Sequence, residues 1–245
     1  MQQEKTDIKS MNLEELKSYM ESIGEKPFRA KQLYQWMHEK QAASFDEMTN
    51  LSKSLQEKLK KECHFVSLKQ EAVQISKIDG TRKYLFALDD GNVIESVLMR
   101  YKHGNSVCIS SQVGCRMGCK FCASTIAGKV RDLTPSEMLD QVLFTQLDSG
   151  KDISNIVLMG IGEPLDNFDN VVKFLELVNH PDGMNIGMRH ISLSTCGITE
   201  MFDKLAELNL QLTLSVSLHA PDDETRSRIM PANRGRGVDE LMECC

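Results

Sequence analysis

No apolar run in these 245 residues approaches the roughly 18 that a membrane-spanning helix needs, and residues 156–162 are among the longest uncharged stretches. A membrane partner is therefore not expected. The start, Met1-Gln-Gln-Glu-Lys5, shows no apolar leader, which points to the cytoplasm, where disulfide frameworks are rare. A basic excess is missing too. The formal charge is −6, with 11 basic and 11 acidic side chains in residues 1–65 but 14 against 19 in residues 100–245. That balance does not exclude RNA, yet contact with it must come from local patches rather than from the overall field. No second CxxC or Cys/His pair accompanies the one dense cysteine group, so the four protein ligands of a structural zinc are not supplied. The apolar fraction, 41%, is ordinary for a globular protein, and the length suits one large domain plus a small one.

What is present is a triplet of cysteines, Cys115-Arg-Met-Gly-Cys119-Lys-Phe-Cys122. CxxxCxxC offers three thiolates, one fewer than the irons of a four-iron cubane, and leaves the fourth iron open. Gly114 and Gly118 suit the bend such a loop requires. Two bland alternatives compete. Positions 115, 119 and 122 follow i, i+4, i+7 spacing and could be a buried helix face, although two glycines make a poor helix. A zinc site is the other, and it lacks its fourth ligand.

The chain divides into three pieces. Residues 12–62 read as three short helices: Leu13, Leu16, Met20 and Ile23 keep helical spacing before Gly24, Phe28, Leu33, Trp36 and Met37 follow Pro27, and Leu51, Leu55 and Leu59 form a third stripe. Trp36, the only tryptophan, is expected in the core, with Arg29, Lys31, His38 and Lys40 as a solvated rim; the other reading makes those four a small nucleic-acid face. Over residues 70–101 the period changes to that of three strands joined at Asp79-Gly80 and Asp90-Gly91, a β-meander. Glu95, inside its last strand, is either on the solvated face or a general base near a pocket. From residue 105, strands at 106–110, 153–159, 190–195 and 212–218 alternate with helices from Thr134, over 171–178, over 199–208 and from Asp222. The expected fold is α/β, with pieces at 1–66, 67–101 and 102–245. Its unusual residues fall in the turns after strands, the end where such folds build sites.

Four ordered motifs carry a resemblance. The cysteine loop after the first strand, Gly160-Ile-Gly-Glu-Pro164 after the second, Leu193-Ser-Thr-Cys-Gly197 after the third and Ser217-Leu-His-Ala-Pro221 after the fourth resemble the radical S-adenosylmethionine (SAM) fold. Cys108-Ile-Ser-Ser-Gln-Val-Gly-Cys115 and the helical-plus-β start are similar, more narrowly, to the RlmN/Cfr family of adenine-C2 RNA methyltransferases. Gly24-Glu-Lys-Pro-Phe-Arg-Ala-Lys-Gln-Leu-Tyr-Gln-Trp36 places the likeness on the RlmN branch. The resemblance implies that Cys115, Cys119 and Cys122 ligate a 4Fe-4S cluster whose open iron chelates SAM. It implies SAM contacts from Gly162, Glu163, Ser194, Ser217, Leu218 and His219. In the family's two-SAM, methyl-cysteine scheme, Cys108 matches the resolving cysteine and Glu95 the proton acceptor. The implied substrates are 23S rRNA in its peptidyl-transferase region and tRNA at the adenosine next to the anticodon, with a reductant protein such as flavodoxin or ferredoxin and a monomeric, cytoplasmic enzyme. Taken alone, a Ser or His at a strand end reads as a turn cap, and Cys63, Cys108 and Cys196 read as buried strand cysteines.

The departure is at the end. The family barrel has six strands and only four are legible, so the resemblance implies a partial barrel that stops at Leu241-Met-Glu-Cys-Cys245 without the methyl-carrying cysteine. Such a chain is not expected to turn over alone, and its open sheet edge would be an aggregation hazard. Two further functions remain open: a non-catalytic RNA-binding fragment that holds a cluster or zinc, and a different radical-SAM reaction.

Overall fold

The structure, a computed structural model, describes residues 5–65, 68–102 and 104–245. The boundary expected between residues 66 and 67 lies outside them. Helix α1 (Leu13–Ser22) starts at a capping box: Asn12 Oδ1 accepts from the Glu15 N–H at 2.9 Å, and Glu15 accepts from the Asn12 N–H at 2.8 Å. Helix α2 (Phe28–His38) follows Pro27, and α3 (Lys53–Glu62) is capped by Ser52. Their apolar stripes meet at Leu16, Met20, Leu33, Tyr34, Met37, Leu55 and Leu59. Two-residue parallel strands, β1 (Thr6–Asp7) and β2 (Cys63–His64), close this helical unit.

Two expectations for this unit are corrected. Trp36 is only half-buried; its indole N–H donates to Asn50, and the Lys40 ammonium stands 4.2 Å from its ring centroid. His38, expected on the solvated rim, is fully buried. The cause is helical phase. Residues 30, 33, 34, 37 and 38 share the inward face of α2, four residues bringing His38 below Tyr34, whereas position 36 falls on the flank.

Strands β3 (Leu68–Ile75), β4 (Arg82–Leu88) and β5 (Val93–Tyr101) form the meander, followed by β6 (Gly104–Cys108). A separate antiparallel hairpin, β7 (Gln112–Gly114) with β8 (Lys129–Asp132), interrupts the run. Helix α4 (Pro135–Ser149) begins at the expected Thr134 cap and ends at Gly150 with φ +61°. There follow β9 (Ile153–Leu158), α5 (Phe168–Asn179), β10 (Ile191–Thr195), α6 (Phe202–Glu207), β11 (Thr213–Val216), α7 (Asp223–Ile229) and α8 (Val238–Cys244). One seven-stranded sheet joins them in the order β11-β10-β9-β6-β5-β4-β3. Its β6, β9, β10 and β11 pairings are parallel and its meander pairings antiparallel, so meander and βα region share one backbone ladder. Among the described residues, no helix is long and apolar enough to cross a membrane.

The pleat sorts the two faces of this sheet. Ile94, Leu98, Val107, Ile156, Leu158, Ile191 and Leu193 are buried in one core with Met138, Leu139 and Phe174 of the covering helices α4 and α5. Cross-strand register puts Val97, Cys108, Val157 and Ser192 on the opposite face, and Glu95, Ser194 and Ser215 share it by alternation. That face is polar and only partly covered, with Ser192 and Ser215 hydroxyls 3.2 Å apart. A parallel sheet clad by helices on both faces would read apolar on both. Small hydroxyls stand here instead.

Candidate active site

Beyond β6, Gln141 of α4 grips the departing chain: its Oε1 accepts from the Ser110 N–H at 2.8 Å and its Nε2 donates to the Ser110 carbonyl at 2.9 Å. Hairpin β7–β8 comes next, and residues 115–128 hang between its arms. Gly114 has φ +72°, and a Cβ there would lie 1.9 Å from the Gly128 carbonyl oxygen, which accepts from the Cys115 N–H at 3.1 Å. Only glycine permits so close an approach of the two arms. At its far side the loop is tied to α7, the Lys120 N–H donating to the Ile229 carbonyl at 2.9 Å.

Cys115 and Cys119 are buried and Cys122 half-buried, and all three line a single cavity of about 270 Å³. Gly160, Gly162, Ser194, Cys196, Ser217 and His219 line it too. Two larger clefts, of about 410 and 480 Å³, contain no cysteine. Among the described residues, no three Cys, His, Asp or Glu side chains converge as the ligands of a single metal ion do. A mononuclear zinc draws its sulfurs to ~2.3 Å from one centre. A cubane is held through separate irons, so three thiols opening onto one cavity fit the cluster. Burial pushes the Cys115 and Cys119 thiols up, and neighbouring thiols add to it; the positive charge of Arg226 acts on Cys119 in the opposite sense.

Opposite the thiols, the loop after β9 is pressed against the exit of β6. A Cβ on Gly160 would meet the Ile109 carbonyl oxygen at 2.7 Å, and one on Gly162, at φ +111°, would meet the Gln112 Cβ at 2.7 Å. The Ile161 carbonyl accepts from the Ser111 and Gln112 N–H groups at 2.9 and 3.1 Å. Ser194 and Ser217 present hydroxyls 3.5 Å apart at the ends of β10 and β11. His219 holds φ +57°, unusual for a residue with a side chain, with its ring centroid 4.8 Å from that of Phe121.

Not every residue expected at the cavity opens onto it. Glu163 is 4% exposed, and its carboxylate accepts from the Cys196 N–H at 2.7 Å and the Leu165 N–H at 3.1 Å. Burial raises its pKa. Leu218 is not in the lining and gives its carbonyl to Arg226 at 3.0 Å. Glu95 and Cys108 stand on the polar sheet face on adjacent strands, outside the cysteine cavity. Lys83 Nζ lies 2.8 Å from Glu95 Oε1 in a small cleft over Ala72 and Leu85, and burial pushes the Cys108 thiol up.

Several residues here escape a reading of the sequence. Gln112 accepts from the Glu163 N–H at 2.9 Å and donates to Asp132 and Asp166, and Asp166 also holds Lys129 and Arg116, joining the cysteine loop to the glycine turn. Cys196, expected to be an inert strand cysteine, lines the cavity and packs with Cys119. Arg226, 2% exposed, donates to the carbonyls of Cys196 and Ser217. No local pattern marks these side chains, because their partners lie 30 or more residues away in most cases.

A thiol loop, a glycine turn and strand-end hydroxyls around one cavity on a βα sheet define a radical SAM protein. Residues 109–245 match the family model of the Radical SAM superfamily, and residues 6–65 match that of the ribosomal RNA large subunit methyltransferase N-terminal domain. Over 98% of its length the chain is 60% identical to a "Probable dual-specificity RNA methyltransferase RlmN" of Lachnospira eligens, covering 69% of that relative. A protein of the same description from Lachnoclostridium phytofermentans is 54% identical over 99% of the chain and 68% of its own length. The crystal structure of a radical SAM methyltransferase from Sphaerobacter thermophilus superposes with a TM-score of 0.93 at 37% identity, covering 98% of this chain and 71% of that one. The chain belongs to the RlmN family of radical SAM RNA methyltransferases, whose cofactors are a 4Fe-4S cluster and SAM.

Proposed function

We propose that the chain acts in methylation of adenine C2, in 23S rRNA and at the tRNA adenosine beside the anticodon. Cys115, Cys119 and Cys122 would hold the cluster, and Gly162, Glu163, Ser194, Ser217, Leu218 and His219 would place SAM. The observation that carries this is the one cavity onto which three thiols, a glycine turn and strand-end serines all open. When bound, the cluster and SAM supply one-electron chemistry that amino-acid side chains lack. The protein's part is placement. Gly160 and Gly162 bring bare backbone to the cavity, Glu163 pins two amides from within its wall, and Leu218 gives its carbonyl to Arg226. On the polar sheet face, Glu95 is the proton acceptor, held by Lys83, and Cys108 is the resolving thiol.

RNA would meet the helical unit, where Lys40 over Trp36 and Arg29 beside Phe28 form a local cationic and aromatic patch on a chain of net charge −6. A small electron-donor protein such as flavodoxin or ferredoxin would reduce the cluster, with the enzyme acting as a cytoplasmic monomer. Anaerobic reconstitution with iron and sulfide tests the site: about four irons per chain, a brown chromophore and retention of SAM in equilibrium dialysis are expected. Zinc without a chromophore would overturn it. Of the other cysteines, Cys63 is buried in the helical unit, Cys196 lines the cavity, and Cys244 and Cys245 are exposed.

A further inference from the structure

Among the described residues, Arg226 is the largest fully enclosed side chain. Burying a cation is costly unless the surroundings compensate it. All four of its hydrogen-bond acceptors are neutral oxygens: the Leu218 carbonyl at 3.0 Å from Nε, the Cys196 and Ser217 carbonyls at 2.7 and 3.2 Å from Nη2, and Asn233 Oδ1 at 2.6 Å from Nη1. Two carboxylates lie one residue beyond these acceptors: Asn233 Nδ2 donates to Asp223 Oδ1 at 2.9 Å, and the Cys196 N–H donates to Glu163 at 2.7 Å. Asp223 is itself engaged, accepting from the Val238 N–H at 2.7 Å.

These acceptors are not scattered. Cys196 follows β10, and Ser217 and Leu218 follow β11, so one guanidinium fastens together the two strand exits that carry Ser194 and Ser217–His219. Cys196 and Ser217 are both cavity-lining, and Cys196 packs with Cys119 and Met230. The Met230 N–H in turn donates to the Arg226 carbonyl at 2.7 Å. The cation therefore sits one layer behind the cavity wall. Three thiolates around an iron–sulfur core bring net negative charge to that cavity, and net charge is among the factors that set a cluster's reduction potential.

We propose that Arg226 is a positioning residue and buried counter-charge of the cofactor cavity: its fork fixes the β10 and β11 ends against SAM, and its charge stabilises the reduced, more negative cluster. Resting on the radical SAM assignment of the cavity, it adds a residue that touches neither cofactor.

The test separates fork from charge. Arg226→Lys keeps the charge but cannot span four acceptors, whereas Arg226→Met removes both. Each is reconstituted anaerobically and read for iron per chain, SAM affinity by equilibrium dialysis, and cluster midpoint potential by a spin-resonance titration. Both substitutions are expected to weaken SAM binding roughly ten- to a hundredfold, the loss of hydrogen bonds from a charged donor. Only Arg226→Met is expected to move the midpoint to more negative potential. Should either fail to fold, Asn233→Ser keeps Arg226 and removes one acceptor; it should weaken SAM binding roughly fivefold and leave the potential alone. A wild-type chain that takes up no four-iron cluster refutes the cavity assignment itself. Full iron with wild-type SAM affinity and potential in the Arg226→Met chain refutes the role of Arg226 alone, and full iron with wild-type SAM affinity in the Asn233→Ser chain refutes its positioning part.

Discussion

Replacing His38 with leucine should remove an acid sensitivity from the helical unit. The imidazole is fully buried, neither ring nitrogen has a hydrogen-bond partner, and Tyr34 packs on it with ring centroids 4.2 Å apart. Burial first, then the charges of Lys9 and His180, pull its pKa from 6.5 down to about 3. Between those values the unfolded chain binds a proton that the folded protein refuses. Stability is therefore complete above about pH 6.5 and is lost as pH falls toward 3. At a limiting slope of about 1.4 kcal/mol per pH unit for one proton, going from pH 7 to pH 5.5 costs about 1.2 kcal/mol. Trp36, the only tryptophan, lies two residues away and reports on the same unit. Urea unfolding followed by its fluorescence should show the wild-type midpoint falling between pH 7 and 5.5 and the His38→Leu midpoint holding level. An equal fall in both proteins would refute the assignment of this sensitivity to His38.

Gly114→Ala should cut iron uptake per chain to near zero on reconstitution, because its Cβ would displace the Gly128 carbonyl that anchors Cys115; the Trp36 unfolding transition should not move. Asp140→Ala strands the Lys9 ammonium, which pairs with Asp140 where both side chains are almost entirely enclosed, and should cost about 3–5 kcal/mol in urea unfolding. Glu163→Gln keeps the shape but turns an N–H donor toward one of two backbone amides, and should cost about 1–3 kcal/mol with weaker SAM retention in dialysis.

Some of this molecule was legible residue by residue. The Thr134-Pro-Ser-Glu137 cap, the Asp-Gly turns of the meander and the stop at Gly24 are local chemistry, settled within a few residues. The cysteine loop and the glycine turn were visible for the same reason, since each is a short segment whose spacing is its function. Trp36 and His38 were exchanged in expectation because residue type, not helical phase, was weighed: a large aromatic fell on a flank and an imidazole fell inside.

By itself the sequence determined the βα alternation, the three thiols, the glycines that allow them to converge, and the family to which the chain belongs. Tertiary structure alone decided what stands behind the cavity. Arg226, Gln112, Asp166 and Cys196 acquire their roles from partners far along the chain, brought together by the register of parallel strands. It also placed Glu163 in the wall, where its carboxylate holds the amides of Leu165 and Cys196 from two different loops. Local spacing encodes which groups are available; only long-range packing sets which of them share a cavity.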